Sequence, residues 1–458
     1  MVETTGMKGL KSTIALAVAL IGLGAYIYFV TWKQPDGPDA GKKTDKVFEV
    51  SGDKIEEIKV TTASGDAVTA KKSGTAWALT EPSAAPADEA EISAMTNALS
   101  TADVVRVVDE NPSNLNDYGL SNPRIAVSFK ASGDKDYRHL FIGEKTPTGG
   151  DLFAKRNDEK KVFLLAAFQE SSLSKSAFDL RDKNVLKVDR DKIDRVDLTA
   201  GTQTVEIAKD GGEWKLTKPA QVRADYGTVE GLIGKLQTVR MKAIVTPDAT
   251  PADLKKYGFD KPQATVNLNS GSAKATLLIG NKTDDNNLYA RDASKSMVVT
   301  IDATLLDDVK KAPDDYRRKD LFEFRAYNAN RVEIARNGQN YVFERVKSAN
   351  EQTPDKWKRV SPSAADVDKD KFDAFLAKLA NMRVSTFQAS AANTGTDKPA
   401  QAAMTVTVKF DDNKKEEKVT FGQVGSDVFA IRPNEPGAAK TDAADFNESV
   451  KTLEELAK

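Results

Sequence analysis

One phrase recurs three times along the chain and governs what it can fold into. It reads AWALTEP at 76–82, EWKLTKP at 213–219 and KWKRVSP at 356–362, each with a Trp and a Pro five residues later. The chain has only four Trp, so three of them stand in this one phrase. Self-similarity at intervals of 137 and 143 residues points to a domain repeated in tandem, not to one large fold.

The surroundings of each Trp repeat as well. An alternating strand comes first: DKIEEIKV from Asp53, DKIDRVDL from Asp191 and NANRVEIA from Asn328. A turn glycine closes it at Gly65, Gly201 and Gly338, and a second strand follows (AVTAKK, TVEIAK, YVFERV). With the Trp phrase as a third strand, the pattern predicts an antiparallel meander. Trp77, Trp214 and Trp357 would fill its packed face, and the Pro after each would end the strand. Asp88, Asp225 and Asp366, each preceded by Ala, are placed to cap a helix. Ile92, Met95 and Leu99, then Val229, Leu232 and Leu236, then Phe372, Phe375 and Leu379 keep steps of three and four, which put them on one helix face.

The second half of each unit recurs less completely. Tyr118, Gly119, Leu120 and Pro123 are answered by Tyr257, Gly258, Phe259 and Pro262, while the third unit keeps only Gly395 and Pro399. Two strands then end in Ile142–Gly143, Ile279–Gly280 and Phe421–Gly422, followed by LFAKR, LYARD and VFAIR. The first two units close with DLRDKNVL and DYRRKDLF, and the third runs out in a helical tail at 446–458. The expectation is an α+β chain of three tandem repeats, each an antiparallel sheet with helices on one face. They span 47–187, 188–324 and a divergent 325–458, and the missing Gly/Pro linker after the first predicts units in contact.

Ahead of the repeats, the uncharged run 14–31 (IALAVALIGLGAYIYFVT) is long enough to cross a bilayer as a helix. Lys8 and Lys11 precede it, and Tyr26, Tyr28 and Trp32 crowd its far end. By the positive-inside bias, 1–12 is a cytoplasmic flank, 13–32 a transmembrane anchor, and everything beyond lies outside the cytoplasm. A cleaved signal peptide would need a small-residue cleavage site after the run, and YIYFVTWK supplies none. Residues 33–46, rich in Pro, Gly and charge, read as a linker. The expected location is the cytoplasmic membrane, single-pass, with the bulk of the chain in the periplasm or outside. Gly22 and Gly24, with Ala15 and Ala19, give the anchor small faces that suit packing against another helix.

Composition narrows the chemistry. Lys and Arg number 67 against 68 Asp and Glu, a balance that gives no general attraction to nucleic acid. With no Cys and one His, disulfides, thiolate sites and His-ligated zinc are all excluded. His139, in YRHLFIG, has no G-x-S-x-G elbow to serve and reads as a strand residue. Asp366, Asp368 and Asp370 imitate the start of a calcium loop, but Lys371 and Ala377 stand where that loop needs Gly and Glu. The sequence therefore predicts no catalytic residues, no metal site and no cofactor, hence not an enzyme. The six residues Tyr118, Gly119, Leu120, Tyr257, Gly258 and Phe259 are the candidates for docking a partner, although a simple turn also accounts for them. Arg181, Lys183, Arg317, Arg318 and Lys319, at the unit junctions, read as bridges between neighbouring units.

An N-terminal anchor, W-x-L-T-x-P, an Asp-capped helix, YGL-x-x-P, a strand ending in Ile-Gly and then Y/F-A-x-R together resemble the family called domain of unknown function 4340. The resemblance covers 47–324 twice over and is thin in the third unit, which lacks the Tyr-Gly-Leu corner. It implies a membrane-anchored extracytoplasmic protein, often encoded beside an ABC-type transporter of the gliding-motility kind, and it transfers no catalytic residues. The expected function is a non-catalytic scaffold or substrate-docking accessory subunit of an ABC-type transporter complex, partnered by an integral-membrane permease. The alternatives are a stand-alone envelope-binding protein and a carboxylate-dependent envelope hydrolase.

Overall fold

The structure is a computed structural model that describes residues 45–348, 354–396 and 402–458. The expected flank 1–12, anchor 13–32 and most of the linker 33–46 lie outside these residues, as does Pro399. Among the described residues no helix is long and apolar enough to cross a membrane. The chain divides into two compact units, Met1–Asp182 and Lys183–Lys458.

In the first unit nine strands follow one another: β1 (Ile55–Thr62), β2 (Ala67–Ser73), β3 (Ala76–Glu81), β4 (Ala85–Pro86), β5 (Arg106–Asp109), β6 (Ile125–Ala131), β7 (Arg138–Lys145), β8 (Asp151–Arg156) and β9 (Val162–Ala166). They make one antiparallel sheet in the order β4-β3-β2-β1-β6-β7-β8-β9-β5. The expected meander is its β3-β2-β1 portion. Between β1 and β2 the chain turns at Gly65, whose positive φ of 82° is cheap only for glycine.

Helix Glu89–Thr101 joins β4 to β5, the two edges of the sheet. Asp88 caps it, accepting from the backbone N–H of Ala90 at 3.1 Å. Its face of Ile92, Met95 and Leu99 shares one core with Trp77 and Leu79 of β3, Val127 of β6 and Leu165 of β9. One helix thus supplies the apolar surface that a half-exposed sheet has to bury.

The second unit holds two more nine-stranded sheets with the same strand order. Their Trp strands, Glu213–Lys218 and Lys356–Ser361, stop immediately before Pro219 and Pro362. Asp225 caps helix Tyr226–Gln237, accepting from Thr228 N–H at 2.8 Å. The third helix, Lys369–Ala380, is capped by Asp368 and not by the expected Asp366. Asp366 is held in a two-residue strand opposite Lys358, and Asp368 stands eleven residues after its Trp, as Asp88 and Asp225 do. The described residues are mostly sheet. Each sheet has one long helix, and the third has a second, Ala443–Leu456.

The junction phrases are divided between neighbours. In DYRRKDLF, Asp225 N–H donates to Tyr316 O at 2.7 Å and Arg318 N–H to Arg223 O at 3.0 Å, both within the second repeat. Leu321 N–H donates to Met382 O at 3.1 Å, and Val384 N–H to Lys319 O at 2.7 Å, which opens the third. Residues 183–185 open the second repeat in the same way, through Val185 N–H to Val239 O and Met241 N–H to Lys183 O. A cation from the Y/F-A-x-R region fastens each opening segment. Arg156 donates to Val47 O at 2.7 Å, Lys295 to Val185 O at 3.3 Å, and Arg432 to Leu321 O.

Candidate functional site

Three copies of one fold separate two kinds of residue. Those that recur in every repeat are explained by the fold, and those present once are candidates for function.

The Tyr-Gly-Leu corner belongs largely to the first kind. A Cβ on Gly143 would lie 2.1 Å from Tyr118 O, and one on Gly280 would lie 2.2 Å from Tyr257 O. In the third repeat Gly422 meets Thr394 O at the same 2.2 Å, although the Tyr is gone. The strand glycine is therefore the seat on which the corner's carbonyl rests. Tyr118 donates its hydroxyl to Asp109 at 3.1 Å and packs edge-on to Phe153, while Leu120 is buried. Tyr257 lies against Tyr289 with ring centroids 4.5 Å apart, and Tyr257, Gly258 and Phe259 are all buried. Each trio is brought together within its own sheet, and only Tyr118 and Gly119 keep partial exposure.

His139 belongs to the second kind. It sits on β7 opposite Ser128 of β6, with Oγ and Nδ1 2.8 Å apart. A hydroxyl beside an imidazole is the start of a nucleophile–base pair, but no carboxylate among the described residues hydrogen-bonds the ring to orient it. Phe141 stacks on the imidazole at 5.8 Å, and Lys130 and Lys59 lie over the neighbouring Tyr137 ring at 4.6 and 5.0 Å. Burial and the hydrogen bond to Glu57 push the Tyr137 phenol up to about 12, so it stays protonated. The ring faces of this strip are occupied by one another and by lysines, which leaves little for a ligand to stack on.

A polar cluster joins the second and third repeats, and its members lie far apart in sequence. The side chain of Glu417, 3% exposed, accepts from Phe324 N–H at 2.8 Å, from Glu323 N–H at 3.0 Å and from Arg432 at 2.9 Å. Arg223 reaches from the second repeat to Glu435 at 2.7 Å and Glu323 at 3.3 Å. Arg317 lies over the Phe387 ring at 3.6 Å, and Arg318 approaches Asp320 at 3.6 Å. Of the junction cations read as bridges, Arg317 reaches the third repeat through Phe387, whereas Arg318 pairs with Asp320 and Glu323 of its own repeat. Sequence reasoning missed Arg223, Glu417 and Glu435, and a signal existed for one of them: Glu417 stands where the register of the other repeats places Arg138 and Ala275. Beside the cluster is a cavity of about 280 Å³, walled by Leu216, Pro219, Val222, Phe387 and Pro436, with Arg317 on its lining. Each carboxylate of the cluster has its cation, and Arg317 Nε is buried without a hydrogen-bond partner among the described residues.

The model of a family described as a domain of unknown function (DUF4340) matches residues 77–215 and 214–403. The chain belongs to this family. No curated protein matches it. Among solved structures, a DNA polymerase sliding clamp from Pseudomonas aeruginosa with ligand shares 9% identity over 87% of this chain and 93% of its own, at a TM-score of 0.18. The DNA polymerase III subunit beta of the same organism shares 9% over 85% and 92%, at 0.17. The clamp bound to griselimycin shares 8% over 87% and 93%, at 0.15. Scores this low support no functional reading of the DUF4340 chain.

Proposed function

We propose that this DUF4340 protein is a single-pass, non-catalytic accessory subunit of an ABC-type transporter complex in the cytoplasmic membrane. Its N-terminus lies in the cytoplasm and its three sheet repeats lie outside, as a scaffold or substrate-docking arm. One observation supports the reading above others: a single apolar run, 14–31, precedes three repeats of one sheet fold. One helix encloses no pathway, so transport has to belong to a partner with several spans, and the repeats contribute surface. Tyr118 and Gly119, the exposed part of the corner, are the proposed contact with that partner.

The test is to replace 13–32 by a cleavable export signal, which delivers the same repeats outside the membrane untethered. The proposal expects the transport-dependent phenotype to be lost even though the repeats reach the same compartment at the same level. A fully active untethered chain would show that the protein works without a membrane complex.

A further inference from the structure

Strand β5 is an edge strand with a ladder partner on one side only. Residues 103–109 read DVVRVVD, and Val105, Val107 and Val108 are 53%, 36% and 37% exposed. Asp45 and Lys46 pair with Asp103 and Val104 at the start of this stretch, and beyond them the open edge, with its exposed valines, is a template for pairing with another strand. The third repeat shows what such a strand meets when it is covered. Its counterpart, Val384–Gln388, places Phe387 under Arg317 of the second repeat and close to Leu216 and Val222. By register Val107 holds the place of Phe387, since Val107 lies opposite Phe163 and Phe387 opposite Ala439.

We propose that β5 pairs antiparallel with β5 of a second copy of this chain across a two-fold axis, joining two first-repeat sheets edge to edge. Two other occupants fit poorly. The chain's own linker, KQPDGPDAGKKT at 33–44, carries no large aliphatic or aromatic side chain to lie on the valines. In a second copy's third repeat the corresponding site is already filled and buried by its own chain. Arg359 stands in the place of Leu216 and donates to Leu456 O and Ala457 O, the end of that chain's last helix. The inference also rests on the anchor read under Proposed function. Twelve residues, thus thirteen Cα–Cα steps, separate Trp32 from Asp45, whose carbonyl accepts from Val104 N–H beside β5. At about 3.5 Å per step they keep every copy's β5 within roughly 45 Å of the membrane and on the same side of it, where a two-fold axis along the membrane normal can relate two copies. Centring the pair on Val107 also keeps the two Arg106 side chains from lying directly opposite each other.

The chain has no cysteine, so an introduced one reports its own neighbours. V107C in the full-length chain in native membranes should give a disulfide-linked dimer on mild oxidation, and V360C, on an exposed site of the third repeat, should not. In parallel, a tagged copy should capture an untagged one, and V107D should lower the yield about tenfold, with V360D leaving it unchanged. Alkaline extraction of the same membranes reports on the anchor separately. Absence of the V107C dimer, with V107D capturing as well as the parent chain, overturns the pairing whether or not the chain resists alkali. Equal cross-linking at 107 and 360 also overturns it. A V107C dimer in a chain that alkali removes would support pairing and refute the anchor.

Discussion

Replacing Glu417 with Ala tests whether the cluster between the second and third repeats holds them as one body. The side chain is 3% exposed and accepts from two backbone N–H groups and one guanidinium. Truncation strands all three donors beneath a strand that water reaches poorly. An orphaned buried N–H costs about 1–3 kcal/mol, and removing one partner of a buried ion pair costs about 3–5 kcal/mol. These overlapping estimates describe the same loss, so the expected destabilisation is about 3–5 kcal/mol. At about 2–4 °C per kcal/mol for a unit of this size, the melting midpoint should fall by roughly 10 °C. Glu417→Gln keeps an oxygen for one N–H and should lose about half as much. Neighbouring Glu416, whose side chain is 57% exposed beside Lys409, is the control, and its Ala variant should change stability by less than about 1 kcal/mol. The assay is thermal unfolding followed by circular dichroism, with all variants compared under one buffer. A Glu417→Ala midpoint equal to that of Glu416→Ala would mean that the cluster is decorative and that the reasoning about stranded donors is wrong.

Two glycines in the second repeat should respond in opposite directions. Gly280→Ala forces a methyl to within 2.2 Å of Tyr257 O and should destabilise by more than about 2 kcal/mol. Gly231→Ala, on the exposed side of helix Tyr226–Gln237 with open space around it, should stabilise by about 0.5–1 kcal/mol; denaturant midpoints for both variants check this. Acid stability should depend on Glu230. Burial acts to raise its carboxyl, but hydrogen bonds from the Trp214 indole and Arg190, with the charges of Lys209 and Arg190, outweigh this and hold it below its ordinary 4.5. A depressed carboxyl contributes stability above the ordinary value and loses it as pH falls through the depressed one. Glu230→Gln should therefore flatten the fall in melting midpoint below pH 4.5, and an unchanged acid limb would count against the pairing.

What was legible in the sequence was local. A turn glycine, a Trp before a Pro and a capped helix each carry a short-range signature, and three copies let one confirm the next. The third helix shows the limit of that approach. Its Ala-Asp pair at 365–366 matched the motif, but the ladder with Lys358 had claimed Asp366, and only the constant distance from Trp357 identifies Asp368. The closing edge of each sheet was hidden because β5 is four residues long, two valines between Arg106 and Asp109, too short to show an alternation. Its pairing with β9 is set by where the helix delivers the chain. The polar cluster was hidden for another reason, since Arg223 and Glu435 lie 212 residues apart and meet only once two repeats have docked. The corner residues were found, but their spacing could not reveal that Gly143, Gly280 and Gly422 exist to receive the carbonyls of Tyr118, Tyr257 and Thr394.

The central claim, that this DUF4340 chain is the extracytoplasmic arm of a membrane transporter, is tested most directly by purifying the tagged full-length protein in mild detergent and identifying what accompanies it. The account predicts a multispan permease and its ATPase in fixed proportion to the chain, lost when 13–32 is exchanged for an unrelated apolar span. A chain recovered from membranes with neither of them, under conditions that keep other transporter complexes whole, would contradict it.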